Sequence, residues 1–148
     1  MSVFFSGVPT EPDIKKIMEK YPHTKMEPGQ QIGYEEIGTL LGIDKKSSRF
    51  RTITNRWRKL MQSKFGIVID TIPGEGFKVL TECEKVGLGS KKLVSAGNMA
   101  KKAYYVFSVT DVKQLDDQSR KEYDHSLKRT VATLQIQNLR PRAALPSM

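Results

Sequence analysis

The sequence predicts an α+β chain, with a small mixed domain over residues 1–81 and a mainly helical extension over residues 82–148. Three observations carry this. Ile14, Ile17, Met18 and Tyr21 recur at i, i+3, i+4 and i+7, the spacing of a helix that buries one stripe. A β-branched run, Ile67–Ile72, enters Pro73-Gly74-Glu75-Gly76 and returns through Phe77–Thr81, which reads as a hairpin. Further on, Val112–Gln137 places Leu115, Tyr123, Leu127, Val131 and Leu134 along one stripe of an otherwise polar helix.

In chain order, residues 1–9 look irregular, with Val3, Phe4 and Phe5 available to pack on the domain. Thr10-Glu11-Pro12-Asp13 reads as a helix start: threonine caps, proline suits the first turn, and Asp13 sits at the capping-box distance. Pro22 ends that helix, and His23–Gly29 connects it to Gln30–Gly33, a brief strand. Tyr34–Leu41 is a short helix with Ile37, Leu40 and Leu41 inward and Gly42 as its stop. Ile43–Lys46 turns the chain, and Ser47 or Ser48 caps the next helix.

That next helix, Ser47–Lys64, carries the functional signal. At roughly 100° per residue, Phe50, Ile53, Trp57, Leu60 and Met61 fall on one apolar face. Ser48, Thr52, Asn55, Lys59 and Gln62 form the opposite ridge, with Arg51 and Arg58 on one flank and Arg49 and Arg56 on the other. A basic outer face is commonly plain solvated surface. Here, however, no Asp or Glu occurs between Lys45 and Ser63, whereas an ordinary exposed helix mixes signs for i,i+4 pairing. Hydrogen-bonding groups on a ridge with cations on both sides match a DNA major groove, with base edges on its floor and phosphates on its rims. Two helices joined by a tight turn, the second bearing that ridge, form a helix-turn-helix pattern, and a hairpin directly after it makes a wing.

Within this frame Ile69–Leu80, IDTIPGEGFKVL, resembles the wing of the winged-helix effector domains of bacterial response regulators. The resemblance spans about Glu11–Thr81 and implies a winged helix-turn-helix fold. By position it implies groove-facing roles for Arg49, Arg51, Thr52, Asn55, Arg56 and Lys59, with Lys78 a backbone contact near the wing. Lys45, Lys46, Ser48, Arg58 and Gln62 complete the expected nucleic-acid-binding set. No receiver domain accompanies the effector-like part, so control by phosphorylation is not expected.

The second half is less legible. Thr81–Gly89 reads as a connector. Ser90 suits the cap of a helix from Lys91, yet Tyr104–Val109 is equally strand-like by residue type, and periodicity does not decide. Thr110 or Asp111 caps the long helix from Val112, whose early acids and late bases suit the helix dipole. Its narrow stripe fits packing back on the first domain or pairing with a second copy, and a homodimer through this helix is the expectation. The tail from about residue 139, with two prolines, is expected to be mobile.

Composition agrees with a polyanionic partner. Twenty-five Lys and Arg against 16 Asp and Glu leave a formal charge of +9. No apolar run nears the ~20 residues that cross a bilayer, the first residues lack a signal-peptide pattern, and Cys83 is alone, so a cytoplasmic protein without a membrane role is expected. Catalytic chemistry finds little footing: His23 and His125 lie far apart, Cys83 has no neighbouring ligand, Asp116-Asp117 reads as first-turn acid, and Gly87-Leu88-Gly89 has no phosphate-loop lysine. The expectation is therefore a double-stranded DNA-binding protein without cofactor or metal, a small transcriptional regulator of bacterial or phage type. The alternatives are a non-specific architectural protein and a protein-binding winged-helix inhibitor or adaptor that docks on an acidic surface.

Overall fold

The computed structural model describes Phe4–Phe5 and residues 7–138; the tail expected to be mobile lies outside the described residues, as do the side chains of Val3, Phe4 and Phe5. The fold is α+β, with five α-helices and a three-stranded antiparallel sheet among the described residues. It divides into two compact units, Met1–Val86 and Gly87–Met148.

The first unit opens with a two-residue ladder, β1 (Phe4–Phe5) against β2 (Val8–Pro9). Helix α1 (Glu11–Lys20) follows, with Pro12 in its first turn. It buries Ile14 and Ile17, while Met18 and Tyr21 are partly buried against the same core. Its start departs from the expected capping box, because Thr10 makes no side-chain cap bond. Thr10 and Asp13 serve as acceptors for two arginines of a later helix instead.

After a 3-10 turn, β3 (Gln31–Gly33) leads directly into α2 (Tyr34–Leu41). Gly42 ends α2 with φ at 65°, a conformation that glycine reaches without a Cβ clash. Gly42 and Ile43 donate to the carbonyls of Thr39 and Gly38, the paired bonds of a Schellman stop. The chain then turns into α3 (Ser48–Phe65), where the Ser47 hydroxyl accepts from Phe50 N at 3.1 Å. At the end of α3, Gly66 N donates to the Gln62 carbonyl and Ile67 N to the Met61 carbonyl.

Strands β4 (Ile69–Ile72) and β5 (Gly76–Val79) form the hairpin, and β5 lies between β3 and β4. The register pairs Thr71 with Phe77 and Ile32 with Phe77, so Phe77 sits at the centre of the sheet. Trp57 meets Phe77 edge to face at 5.8 Å, and Tyr34 meets it likewise at 5.0 Å. Ile17, Ile32, Ile37, Ile53 and Met61 close around this aromatic group. Burial on this scale holds α3 by its tryptophan side, at ~1.5–3 kcal/mol for each large side chain.

Helix α4 (Glu82–Ser108) begins where a connector was expected. Thr81 and Glu84 supply the reason: Thr81 N donates to the Glu84 carboxylate at 2.9 Å, and Glu84 N donates to Thr81 Oγ1 at 3.4 Å. This is a reciprocal capping box. Lys78 of β5 also pairs with Glu84, at 2.5 Å, so the first turn of α4 belongs to the first unit. Lys78 and the Thr81 backbone N–H hold the Glu84 carboxyl below the usual carboxylate range. The helix runs without a break through Ser90 and through Tyr104–Ser108, so neither a later start nor a strand occurs there. The long helix expected from Val112 is resolved into a 3-10 turn over Val112–Gln114 and α5 (Asp117–Asn138). Asp111 caps the 3-10 turn by accepting from Lys113 N, and Asp116 accepts from Ser119 at the start of α5, which lowers the Asp116 carboxyl.

Candidate nucleic-acid interface

Helix α3 arises where an 18-residue stretch repeats apolar residues on one side and ends on a glycine that reverses the chain. Phe50, Ile53, Trp57 and Met61 are buried and Leu60 is partly buried, leaving the opposite side outward. Ser48, Asn55, Lys59 and Gln62 are exposed and Thr52 is half-exposed, so the expected ridge is present as a surface. The Thr52 hydroxyl donates to Ser48 O at 3.0 Å, which restrains it along the helix axis.

The flanks differ from expectation. Arg49 Nη2 donates to Asp13 Oδ2 at 2.5 Å and to the Pro9 carbonyl at 3.2 Å. Arg56 donates to Thr10 Oγ1 at 2.5 Å and to Glu11 Oε1 at 2.8 Å. Both arginines therefore clamp α3 to the start of α1. Arg58 Nε donates to the Ile69 carbonyl at 2.8 Å, its guanidinium lies 3.6 Å from Asp70, and it stacks over Phe77 at 5.6 Å. It ties α3 to the hairpin. Lys78 pairs with Glu84, and Lys45 pairs with Glu35 of α2. Five of the twelve expected contacts are thus engaged within the fold. The physical reason is that a helix side is a direction only, and here α1 and the sheet occupy the two flanks.

Among the described residues Lys46, Arg51, Lys59 and Lys64 have no ion-pair partner. Lys46, Arg51, Lys59 and Lys64 are all exposed. A concavity of about 380 Å³ lies beside the ridge, lined by Tyr34, Lys45, Arg51, Asn55 and Thr71 among others. It brings together the amide of Asn55, two cations and an outward threonine of β4. Tyr34 and Thr71 were not among the expected residues. Thr71 had a weak signal, since it alternates outward in the β-branched run, whereas Tyr34 had none. Lys64 is basic in the last turn of α3, two residues beyond the last expected position on this helix.

A larger groove of about 700 Å³ runs between α1 and α3, with Ile14, Met18, Leu60 and Phe65 along it and Lys15, Lys59 and Lys64 at its edges. No group of three or more His, Cys, Asp or Glu is placed to hold a metal among the described residues. No helix among them is long and apolar enough to cross a membrane. Comparison with protein-family models, with curated proteins and with solved structures found no match.

Proposed function

We propose that the chain is a winged helix-turn-helix protein that binds double-stranded DNA and reads sequence with α3 in the major groove. The order α1, β3, α2, α3, β4, β5, with β5 central in the sheet, supports the winged-helix reading. The observation that carries the function is the sorting of cations on α3. Arg49, Arg56 and Arg58 brace the helix, while Arg51 and Lys59 stand open beside Asn55 and Gln62. In this reading Lys46, Arg51 and Lys59 meet phosphates, and Asn55 and Gln62 reach base edges, where a bidentate amide on adenine is worth ~1–3 kcal/mol of discrimination.

Selection of bound duplexes from a random pool at ~150 mM salt tests the proposal, because non-specific charge binding weakens steeply as salt rises. An enriched motif, lost on Asn55→Ala, is the expected result. Equal affinity for selected and random duplex would favour the architectural alternative, and no duplex binding would defeat both. A second reading, a protein-binding adaptor, draws on the α1–α3 groove, whose apolar floor and lysine edges suit an acidic amphipathic segment. In that case Leu60→Glu would abolish partner binding, and Arg51→Ala would leave it unchanged.

A further inference from the structure

We propose that the groove between α1 and α3 takes an acidic amphipathic helix of a partner protein, and that this helix and duplex DNA exclude one another. The exclusion rests on the DNA reading of the α3 ridge; the groove itself does not. It lies wholly within the first unit, with a volume of about 700 Å³. Ile14 and Met18, one turn apart on α1, and Leu60 and Phe65 on α3 make its apolar floor. Met18, Leu60 and Phe65 pack against the core but are only partly buried, and the His23 ring stacks on Phe65 at 3.9 Å. On α3 the lining runs from Arg56 to Phe65, nine residues or about 13 Å along the axis. That length accepts anchors at i, i+4 and i+7 of one helix, which span about 10 Å.

Charge sets the sign of the partner. Lys15 on the α1 bank and Lys59 and Lys64 on the α3 bank are exposed and make no ion pair among the described residues. Arg56 and Glu11, also on the groove, pair with each other at 2.8 Å. Of the other acids of α1, Asp13 is held by Arg49, and Glu19 lies about 40° farther round the helix than Lys15, away from Ile14. α3 carries no acid. Lys16 and Lys20 of α1, and Lys25 of the 3-10 turn that carries His23, are exposed and add positive charge. Cations on both banks of an apolar floor match a helix with carboxylates on both flanks of its apolar stripe, whereas a single-headed anion would use one bank. A second copy does not supply such a helix. α1 balances three acids with three lysines, α3 and α4 are basic, and α5 sets Arg120, Lys121, Lys128 and Arg129 against Asp117, Glu122 and Asp124. The acidic helix, α2, keeps Ile37 and Leu41 in the core and bonds Glu35 to Lys45 and Glu36 to Tyr21.

Lys59 belongs to both surfaces. It lies about 40° round α3 from Asn55, on the side toward Leu60. A helix ~10–12 Å across, seated on Leu60, therefore stands beside the ridge, where the DNA reading runs one phosphate rim of the major groove. Its carboxylates also neutralise Lys59. Occupied groove and bound duplex are thus alternatives, and an acidic protein partner controls access of the ridge to DNA.

Fluorescence anisotropy of a labelled synthetic peptide tests the groove, with the full chain at ~150 mM salt. The probe is a helix-forming peptide of about 14 residues (~21 Å as a helix) with leucines at i, i+4, i+7 and i+11 and glutamates on both flanks. A scrambled peptide of the same composition is the control. The expected result is saturable binding of the first peptide alone, weakened about tenfold by Leu60→Ala and about two- to fivefold by Lys15→Ser, with Trp57 emission unchanged. In titrations of labelled duplex, the midpoint should rise in proportion to the peptide present. Equal binding of the scrambled peptide, binding of neither, or indifference to both variants would overturn the groove assignment while leaving duplex binding as it stands. Saturable dodecanoate binding at the groove in place of the peptide would overturn it in favour of a small amphiphile. Peptide and duplex held in one complex would overturn the exclusion. A chain that holds peptide but no duplex would end the DNA reading and the exclusion with it.

Discussion

Arg49 and Arg51 stand two residues apart on one helix, and removing them should have opposite consequences. In the Arg49–Asp13 pair the two side chains retain 21% and 12% of their exposure, so the pair is largely withdrawn from water. An exposed pair is worth ~0–1 kcal/mol, whereas removing one partner of a fully buried pair costs ~3–5 kcal/mol. Arg49→Ala lies between these limits and also deprives the Pro9 carbonyl of a donor, so a loss of about 2 kcal/mol is expected. Arg51 is exposed with no ion-pair partner among the described residues, and Arg51→Ala should change stability by less than ~0.5 kcal/mol. Urea unfolding followed through Trp57, the single tryptophan and fully buried, reads both. With a slope of ~1–3 kcal/mol/M, the Arg49→Ala midpoint should fall by on the order of 1 M at unchanged slope. In a cycle with Asp13→Asn, the second change should cost less once the first is made, by about 1 kcal/mol or more. Duplex titrations should show the reverse ranking: Arg51→Ala lowers affinity across sequences and reduces the salt slope by about one. Equal midpoints for the two alanine variants would refute the assignment of Arg49 to the fold.

Other consequences follow from the same geometry. Gly76→Ala drives a Cβ into the backbone carbonyl of Ile32, and the shift forced on the β3–β5 pairing should cost ~1–3 kcal/mol in the same urea assay. Ser47→Ala removes the acceptor for Phe50 N, and should lower stability by ~1 kcal/mol without altering Trp57 emission in the folded state. The Glu84 carboxyl is lowered by Lys78 and by Thr81, so its contribution is present above the ordinary carboxylate pKa and is lost as pH falls through the lowered folded value. Amide protection in the first turn of α4, taken relative to the intrinsic exchange rate at each pH, should therefore fall on acidification below the ordinary carboxylate range, and Glu84→Gln should abolish that pH dependence.

The first unit is legible in sequence because its inward residues are apolar at clean helical spacing. Ile14, Ile17, Ile53, Trp57 and Met61 identify their own buried sides, and Gly42 and Gly66 mark the stops. The ridge of α3 follows as the remainder. The flank arginines are not legible in the same way, since what meets a guanidinium depends on a distant segment. Thr10 and Asp13 have capping-box spacing, yet they receive Arg56 and Arg49 from some forty residues away. In the second unit Gly87 and Gly89 argue locally for a connector, at ~1 kcal/mol each relative to alanine within a helix. The Thr81–Glu84 box and the Lys78 ion pair start the helix before them, and the Thr-x-x-Glu spacing was the available sign. Residues 91–109 gave no single periodicity because α4 carries apolar groups on several sides, so no one stripe stood out.

The neutralisation of three α3 arginines by Asp13, Glu11 and Asp70 reshapes the electrostatic field as well as the packing. Partners close to those guanidinium groups cancel much of their reach, so the potential along this helix is set by Lys46, Arg51, Lys59 and Lys64. In the proposed reading, these open cations would draw the unit toward a rod of phosphates. Encounter of this kind runs faster than unguided diffusion, by ~10–10³ where the field is strong, and the advantage shrinks as dissolved ions shorten its range. On that reading, the pairing of the three partly buried arginines leaves the rate of encounter to the open cations.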